Sequence, residues 1–241
     1  MSLQTNQIQI KYLYSVKQLL QNPVYHALLL RDQHLSFGNE HVKHFDELVS
    51  PFVGFDQNYT NGFADLYELL PAGRKILYAT PATITRPHGW QLQHEIKGLQ
   101  FVYEGGNKIN HEFANVMPLG EMHINQMIHL ATVTKPGPFG PRTIDFGSYH
   151  GIFDSEKLVA MTGQRLHVQQ FTEISAVCTL PGYTGKGYAH MLLLHQLQLI
   201  LQQGQHPFLH VREDNQRAIA LYQRIGFTVS RPMNFYFMKR E

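Results

Sequence analysis

The stretch from Glu173 to Ala189, EISAVCTLPGYTGKGYA, constrains the fold more than any other. An apolar, β-branched run from Ile174 to Leu180 is broken at Pro181-Gly182. The glycine-rich turn Thr184-Gly185-Lys186-Gly187 comes next, and a leucine-rich helical pattern runs from Tyr188 to Gln203. Strand, glycine turn and helix in that order bring several backbone N–H groups and a helix N-terminus to one point. Such a point favours a phosphate, because unsatisfied amides and the positive end of the helix dipole converge there. Gly185 and Gly187 let the backbone come close to a pyrophosphate with no Cβ in the way. Taken alone, the same glycines also suit an ordinary tight turn.

The totals set the bounds. A chain of 241 residues makes one large domain or two small ones and buries a real core. With 43% hydrophobic and 16% charged residues the composition is globular. A net charge of +2 argues against an extended nucleic-acid or membrane footprint, so neither partner is expected. The lone cysteine, Cys178, excludes an intramolecular disulfide framework and suits a reducing, cytoplasmic setting. The opening MSLQTNQIQIKYLYS lacks an apolar signal core, and no apolar run approaches the ~20 residues of a membrane span. The fifteen histidines are scattered without cysteine or acidic partners at ligand spacing, so no metal is expected.

Along the chain, Leu13, Val16, Leu19 and Leu20 recur at helical spacing, which predicts helix over residues 11–31 with an interruption at Pro23. Residues 34–60 show no clear period. Phe63–Leu70 reads as an amphipathic helix, Lys75–Thr80 and Leu99–Tyr103 as strands. Met117-Pro118-Leu119-Gly120 reads as a linker. It divides the chain into an α/β unit at residues 1–115 and a second unit at 116–241. A helix is expected over Glu121–Ala131. Lys135-Pro136-Gly137-Pro138-Phe139-Gly140-Pro141 holds three prolines and two glycines in seven residues and must be a loop. Tyr149–Phe153, Lys157–Val168 and Phe171–Leu180 then read as an antiparallel meander. Pro207–Val211 is a short buried strand, and Asn215 is placed to cap a helix carrying Ala218, Leu221, Tyr222 and Ile225 on one face. Gly226 closes that helix, and the tail to Lys239 has a hairpin pattern about Arg231-Pro232.

Three blocks carry a resemblance: Val177-Cys178-Thr179-Leu180-Pro181 with Thr184-Gly185-Lys186-Gly187-Tyr188-Ala189; His210-Val211-Arg212-Glu213-Asp214-Asn215; and Ala218-Ile219-Ala220-Leu221-Tyr222 with Ile225-Gly226-Phe227. In order and spacing they resemble the GNAT superfamily of acyl-CoA-dependent N-acyltransferases. Pro136-Gly137-Pro138-Phe139 and the VCT-x-P wording look like its FR47-like branch. The resemblance covers about residues 117–241. It departs from the family's phosphate loop at Thr184, where the family usually has glutamine or arginine.

The resemblance implies an α/β (α+β) fold with a mixed, mostly antiparallel sheet flanked by helices. The first half is then expected to be a degenerate copy of the same unit, with Glu95–Tyr103 faintly like the opening stretch. It implies acetyl-CoA as co-substrate and a primary amine of a small molecule, amino acid or peptide as acceptor, acylated directly in a ternary complex. The cofactor residues would be Val177, Cys178 and Thr179 along the pantetheine arm, Thr184, Gly185, Lys186, Gly187, Tyr188 and Ala189 at the pyrophosphate, and Asn215, Ala218 and Tyr222. By resemblance Tyr222 protonates the leaving thiolate, though core packing on its helix face also accounts for it. Glu173 is the expected base for the amine, with His210 and His150 as alternatives. A backbone amide near Val177 would polarise the thioester carbonyl. Cys178 is expected to be a buried apolar residue and not a nucleophile. The competing reading is a non-catalytic acyl-CoA sensor or regulatory module.

Overall fold

The computed structural model of the protein describes residues 17–105 and 113–241. Leu13 and Val16 of the expected first helix lie outside the described residues. Within the described residues the chain opens with a 3-10 turn at Gln18–Gln21 and then α1 (Pro23–Leu29). Pro23 sits in the first turn of α1, where its missing N–H removes no bond.

Three short strands occupy the stretch without a clear period: β1 (Ser36–Gly38), β2 (Val42–Phe45) and β3 (Phe52–Phe55). Strands of three and four residues are too short to display a period of two. Next come α2 (Gly62–Leu69), β4 (Lys75–Thr80) and the long β5 (Trp90–Tyr103). At the expected linker Met117–Pro118 forms a two-residue strand, β6, and a 3-10 turn leads on into α3 (Ile124–Thr134). The meander is present as β7 (His150–Asp154), β8 (Lys157–Val168) and β9 (Phe171–Thr179). The chain ends with α4 (Tyr188–Gln202), β10 (His206–Arg212), α5 (Gln216–Ile225) and β11 (Phe227–Arg240).

The tail is not a hairpin. β11 is one strand of 14 residues, and the pairing skips between Val229 and Arg231. Arg231-Pro232 therefore comes just after a bulge, the local irregularity at which a residue without an N–H is tolerated inside a sheet.

All the strands join one mixed sheet in the order β1-β2-β3-β4-β11-β5-β10-β9-β8-β7-β6. The order mirrors itself about the β11/β5 pair. On one side β3 runs parallel to β4, and β4 pairs antiparallel with β11. On the other side β9 runs parallel to β10, and β10 pairs antiparallel with β5. A helix joins each parallel pair, α2 in the first half and α4 in the second. Each half thus places its last long strand beside the other half's sheet, and the boundary at residues 115/116 falls within one continuous sheet. Two parallel strands need a crossover connection, which explains the helix between each pair. The counterpart of β9 by this order is β3, so the faint likeness of Glu95–Tyr103 to the opening stretch does not reflect position.

Helices cover both faces. Leu193, Leu197 and Ile200 of α4 and Ile219 and Tyr222 of α5 pack on Phe101, Leu209 and Phe227. On the opposite face Val24 and Leu28 of α1 and Met127 and Leu130 of α3 join Phe45, Met161, Phe171 and Phe208. The first-half crossover is filled by aromatic rings: Phe55 stacks on Tyr78 at 4.9 Å, and Phe63 lies 5.0 Å from each.

Candidate active site

The site begins where two strands part. β9 and β10 are in register only at Phe171↔His206, Thr172↔Pro207 and Glu173↔Phe208. Beyond Glu173 they diverge, and two cavities open at the fork. One, of about 400 Å³, runs past Glu173, Ser175, Ala176 and His210. The other, of about 560 Å³, lies against the glycine turn, the start of α4 and α5. Val177, Cys178, Thr179, Asn215, Arg217 and Tyr222 line both.

A bulge shapes the strand at the fork. The β8/β9 pairing steps from Gly163↔Ser175 to Met161↔Cys178, so Ala176 and Val177 stand opposite Thr162 alone. Ala176 adopts φ 52°, a left-handed conformation rare for a residue with a Cβ. A bulge leaves an extra residue outside the ladder, which frees a backbone amide at the mouth of the cavities.

The second cavity has the open glycine backbone and helix start of an anion site. Gly185 and Gly187 both have φ 83°, and a Cβ on either would meet no atom within 4 Å. The amides of Thr184, Gly185 and Gly187 make no backbone hydrogen bond among the described residues. The first-turn amides of α4 are unpaired by the nature of a helix start. Thr184, Tyr188, Ala189 and Ala218 line this cavity. Lys186 does not. Its ammonium rests 4.6 Å from the centre of the Tyr183 ring, whose hydroxyl donates to Asp154 at 2.7 Å. Asn215 caps α5 by accepting from the Ala218 amide at 3.1 Å. Arg217 and Arg224 also face the cavity. The sequence marks neither, because basic residues on an amphipathic helix are ordinary solvent-facing residues until the cavity is seen.

Tyr222 occupies the junction. It is 7% exposed, its ring packs edge-on to Phe101 and Phe227, and burial raises its phenol to about 12. The hydroxyl therefore keeps its proton at neutral pH. Burial likewise raises the Cys178 thiol to about 11, which leaves it protonated and a poor nucleophile.

Glu173 is fully buried and does not stand free. Arg165 donates to it twice, Nε to Oε2 at 2.9 Å and Nη2 to Oε1 at 2.8 Å. His210 Nδ1 lies 2.8 Å from Oε1. Burial pushes the carboxyl up, but Arg165 and then His210 pull it further down, to about 2. A carboxylate held this way accepts a proton poorly, so direct base action by Glu173 does not fit its surroundings. Across the imidazole, Gln100 of β5 donates its amide to the Leu20 carbonyl at 2.8 Å and meets His210 Nε2 at 3.1 Å. The first half therefore reaches the site through Gln100, which no motif marks. His150 lies away from the fork, 4.4 Å from His195 between ring centres and against Gln196.

Among the described residues no group of three or more metal-binding side chains is present, and no helix is long and apolar enough to cross a membrane.

Comparison with known proteins agrees with this geometry. The family described as FR47-like protein matches residues 149–236. A mycothiol acetyltransferase of Corynebacterium efficiens is 31% identical over 80 residues, which is 33% of this chain and 27% of that protein. The match thus spans about a quarter of the curated relative. A crystal structure of a GNAT-family acetyltransferase from Novosphingobium aromaticivorans superposes with a TM-score of 0.86 at 27% identity, over 92% of this chain and 98% of that one. A GCN5-related N-acetyltransferase from Sphaerobacter thermophilus shares the fold at a TM-score of 0.55 and 14% identity, over 88% and 85% of the two chains. With the divergent parallel strands, the glycine turn and the bulge at Ala176, these matches give the chain the fold of the GNAT acetyltransferases, with the FR47-like family matched over residues 149–236.

Proposed function

We propose that the protein transfers an acetyl group from acetyl-CoA to a primary amine of a small molecule, amino acid or peptide. The observation that carries this reading is the place of Tyr222, a protonated phenol on the boundary that both cavities share. Bound acetyl-CoA supplies a thioester: the amine nitrogen bonds to its carbonyl carbon as the C–S bond breaks, and the thiol leaves. Gly185, Gly187 and the start of α4 hold the pyrophosphate through backbone amides. Arg217 and Arg224 add positive charge on the facing helix. Val177, Cys178 and Thr179 guide the pantetheine arm along β9. The backbone at Ala176–Val177 polarises the carbonyl where negative charge develops. Tyr222 gives its proton to the departing sulfur, and the proton that the amine nitrogen sheds on forming the amide passes back, directly or through His210, to the Tyr222 phenolate.

Glu173 acts as a positioning residue. It fixes Arg165 and orients His210, whose Nδ1 proton points to the carboxylate. His210, the alternative base, lines the fork with Tyr222 and has its Nδ1 beside the Glu173 carboxylate. The low proton affinity of Glu173, the expected base, favours the second reading, a module that binds acyl-CoA without turnover. Release of free thiol from acetyl-CoA across a panel of amines separates the two: release supports transfer, and CoA binding with no release supports the sensor.

The first half reads as a degenerate copy of the same unit. The mirrored strand order supports this, and the aromatic filling of its crossover leaves it without a cofactor gap. A cytoplasmic setting accords with the lone reduced cysteine.

A further inference from the structure

The loop Lys135–Phe139 has a cavity on each side. Lys135 and Pro136 border the fork at Tyr222. On the other side lies a cavity of about 500 Å³ that the catalytic motifs do not account for. Its far wall comes from strands on the first-half side of the sheet: Lys75 and Ile76 of β4, Gln93 and His94 of β5, and Phe237 and Met238 of β11. Lys135 is the residue common to this cavity and the fork.

The chemistry of the two spaces is complementary to one kind of molecule. The 500 Å³ cavity has apolar and aromatic walls, with Phe139 facing it from the loop and Phe237 from β11, where the Phe237 ring stacks on His94 at 4.1 Å. Among the described residues, Lys75 and Lys135 have no carboxylate within ion-pairing distance, and no acidic residue lines this cavity. At the fork the one buried carboxylate, Glu173, is already matched by Arg165. The combined site therefore offers unmatched positive charge between an apolar chamber and the reacting point. A ligand fits when it carries an anion at Lys135, an apolar body beyond it, and an amine on the near side.

We propose that the acceptor is an α-amino acid with a large apolar side chain. The amine enters the fork towards Tyr222, the adjacent carboxylate is met by Lys135, and the side chain lies in the 500 Å³ cavity against Phe139 and Phe237. A volume of about 500 Å³ is ample for such a side chain. Lys75, at the far end, favours acceptors with further anionic character. The first half then shares in substrate choice, because Ile76 of β4 and Gln93 and His94 of β5 line the same cavity. This inference rests on the acetyl-transfer reading, and its test is built to fail separately from it.

Binding of phenylalanine, phenethylamine and glycine to the full chain saturated with CoA is measured by calorimetry, and thiol release from acetyl-CoA is measured with the same three amines. Phenylalanine is expected to bind at least tenfold more tightly than either of the others. Phenethylamine lacks the carboxylate and glycine lacks the body. Lys135→Gln is expected to weaken phenylalanine about tenfold and to leave phenethylamine within twofold. Phe237→Ala is expected to weaken phenylalanine and phenethylamine alike and to leave glycine unchanged, with unchanged melting as the control for folding. Equal binding of phenylalanine and phenethylamine, or a Lys135→Gln variant that binds phenylalanine as the wild type does, overturns the inference even if both amines are turned over. Tight phenylalanine binding without thiol release upholds the assignment of the pocket and contradicts the acetyl-transfer reading instead.

Discussion

Arg165 grips Glu173 with two hydrogen bonds, at 2.9 and 2.8 Å, across a β8/β9 register that places the two residues directly opposite one another. The carboxylate is fully buried and the guanidinium nearly so. Removing one partner of such a pair leaves an uncompensated buried charge. Glu173→Gln is therefore expected to destabilise the fold by about 3–5 kcal/mol, measured by denaturant unfolding. A change below about 1 kcal/mol would mean that Arg165 finds another partner.

The same pair sets a pH dependence. The Glu173 carboxyl titrates at about 2 in the folded protein, below its ordinary 4.5. Its stabilising contribution is thus fully present above pH 4.5 and is lost as the pH falls towards 2. Denaturation midpoints measured from about pH 6 down to about pH 3 are expected to fall in the wild type and to stay flatter in Glu173→Gln. Parallel curves would remove Glu173 as the source.

Tyr222→Phe removes the proposed acid and keeps the ring packing on Phe101 and Phe227. It is expected to lower kcat by about 100-fold, the low end for general-acid catalysis, with the KM for acetyl-CoA within about threefold. Because burial holds the phenol at about 12, the wild-type rate is expected to show no alkaline decline from this group below about pH 10. A variant with full kcat would leave Tyr222 a packing residue.

Gly187 lies at the start of α4 with φ 83° and open space where a Cβ would stand. Valine there meets the left-handed backbone penalty of about 1–2 kcal/mol and intrudes on the phosphate position. Gly187→Val is expected to weaken CoA binding at least tenfold by calorimetry. Unchanged binding would place the pyrophosphate elsewhere.

The second half is readable from sequence because its signals are local. The strand–turn–helix from Ile174, the Asn215 cap and the Gly226 stop each depend on neighbours along the chain, and each is present. What the sequence hid is long-range. Nothing near Gln100 shows that β5 inserts between β10 and β11 or that this side chain meets His210. The bidentate partner of Glu173 was equally invisible, since Arg165 reaches it only through strand pairing. Arg231-Pro232 looked like a turn because the bulge before it depends on the facing strand.

Strand insertion has its own consequence. Residues 116–241 alone lack β5, the strand that lies between β10 and β11. Both strands would then expose unpaired edges over much of their length. That fragment is expected to be unfolded or aggregated when expressed by itself, and to recover native far- and near-ultraviolet circular dichroism when residues 1–115 are co-expressed. A cooperative melting transition from the isolated fragment would show that the second half closes its own sheet.

The decisive measurement for acetyl transfer is free-thiol release from acetyl-CoA, recorded over a panel of amines with the full chain. Amine-dependent release that saturates in both substrates is expected, with the acetyl group recovered on the amine nitrogen. Clear CoA binding with no release for any amine would contradict acetyl transfer and leave an acyl-CoA-binding module in its place.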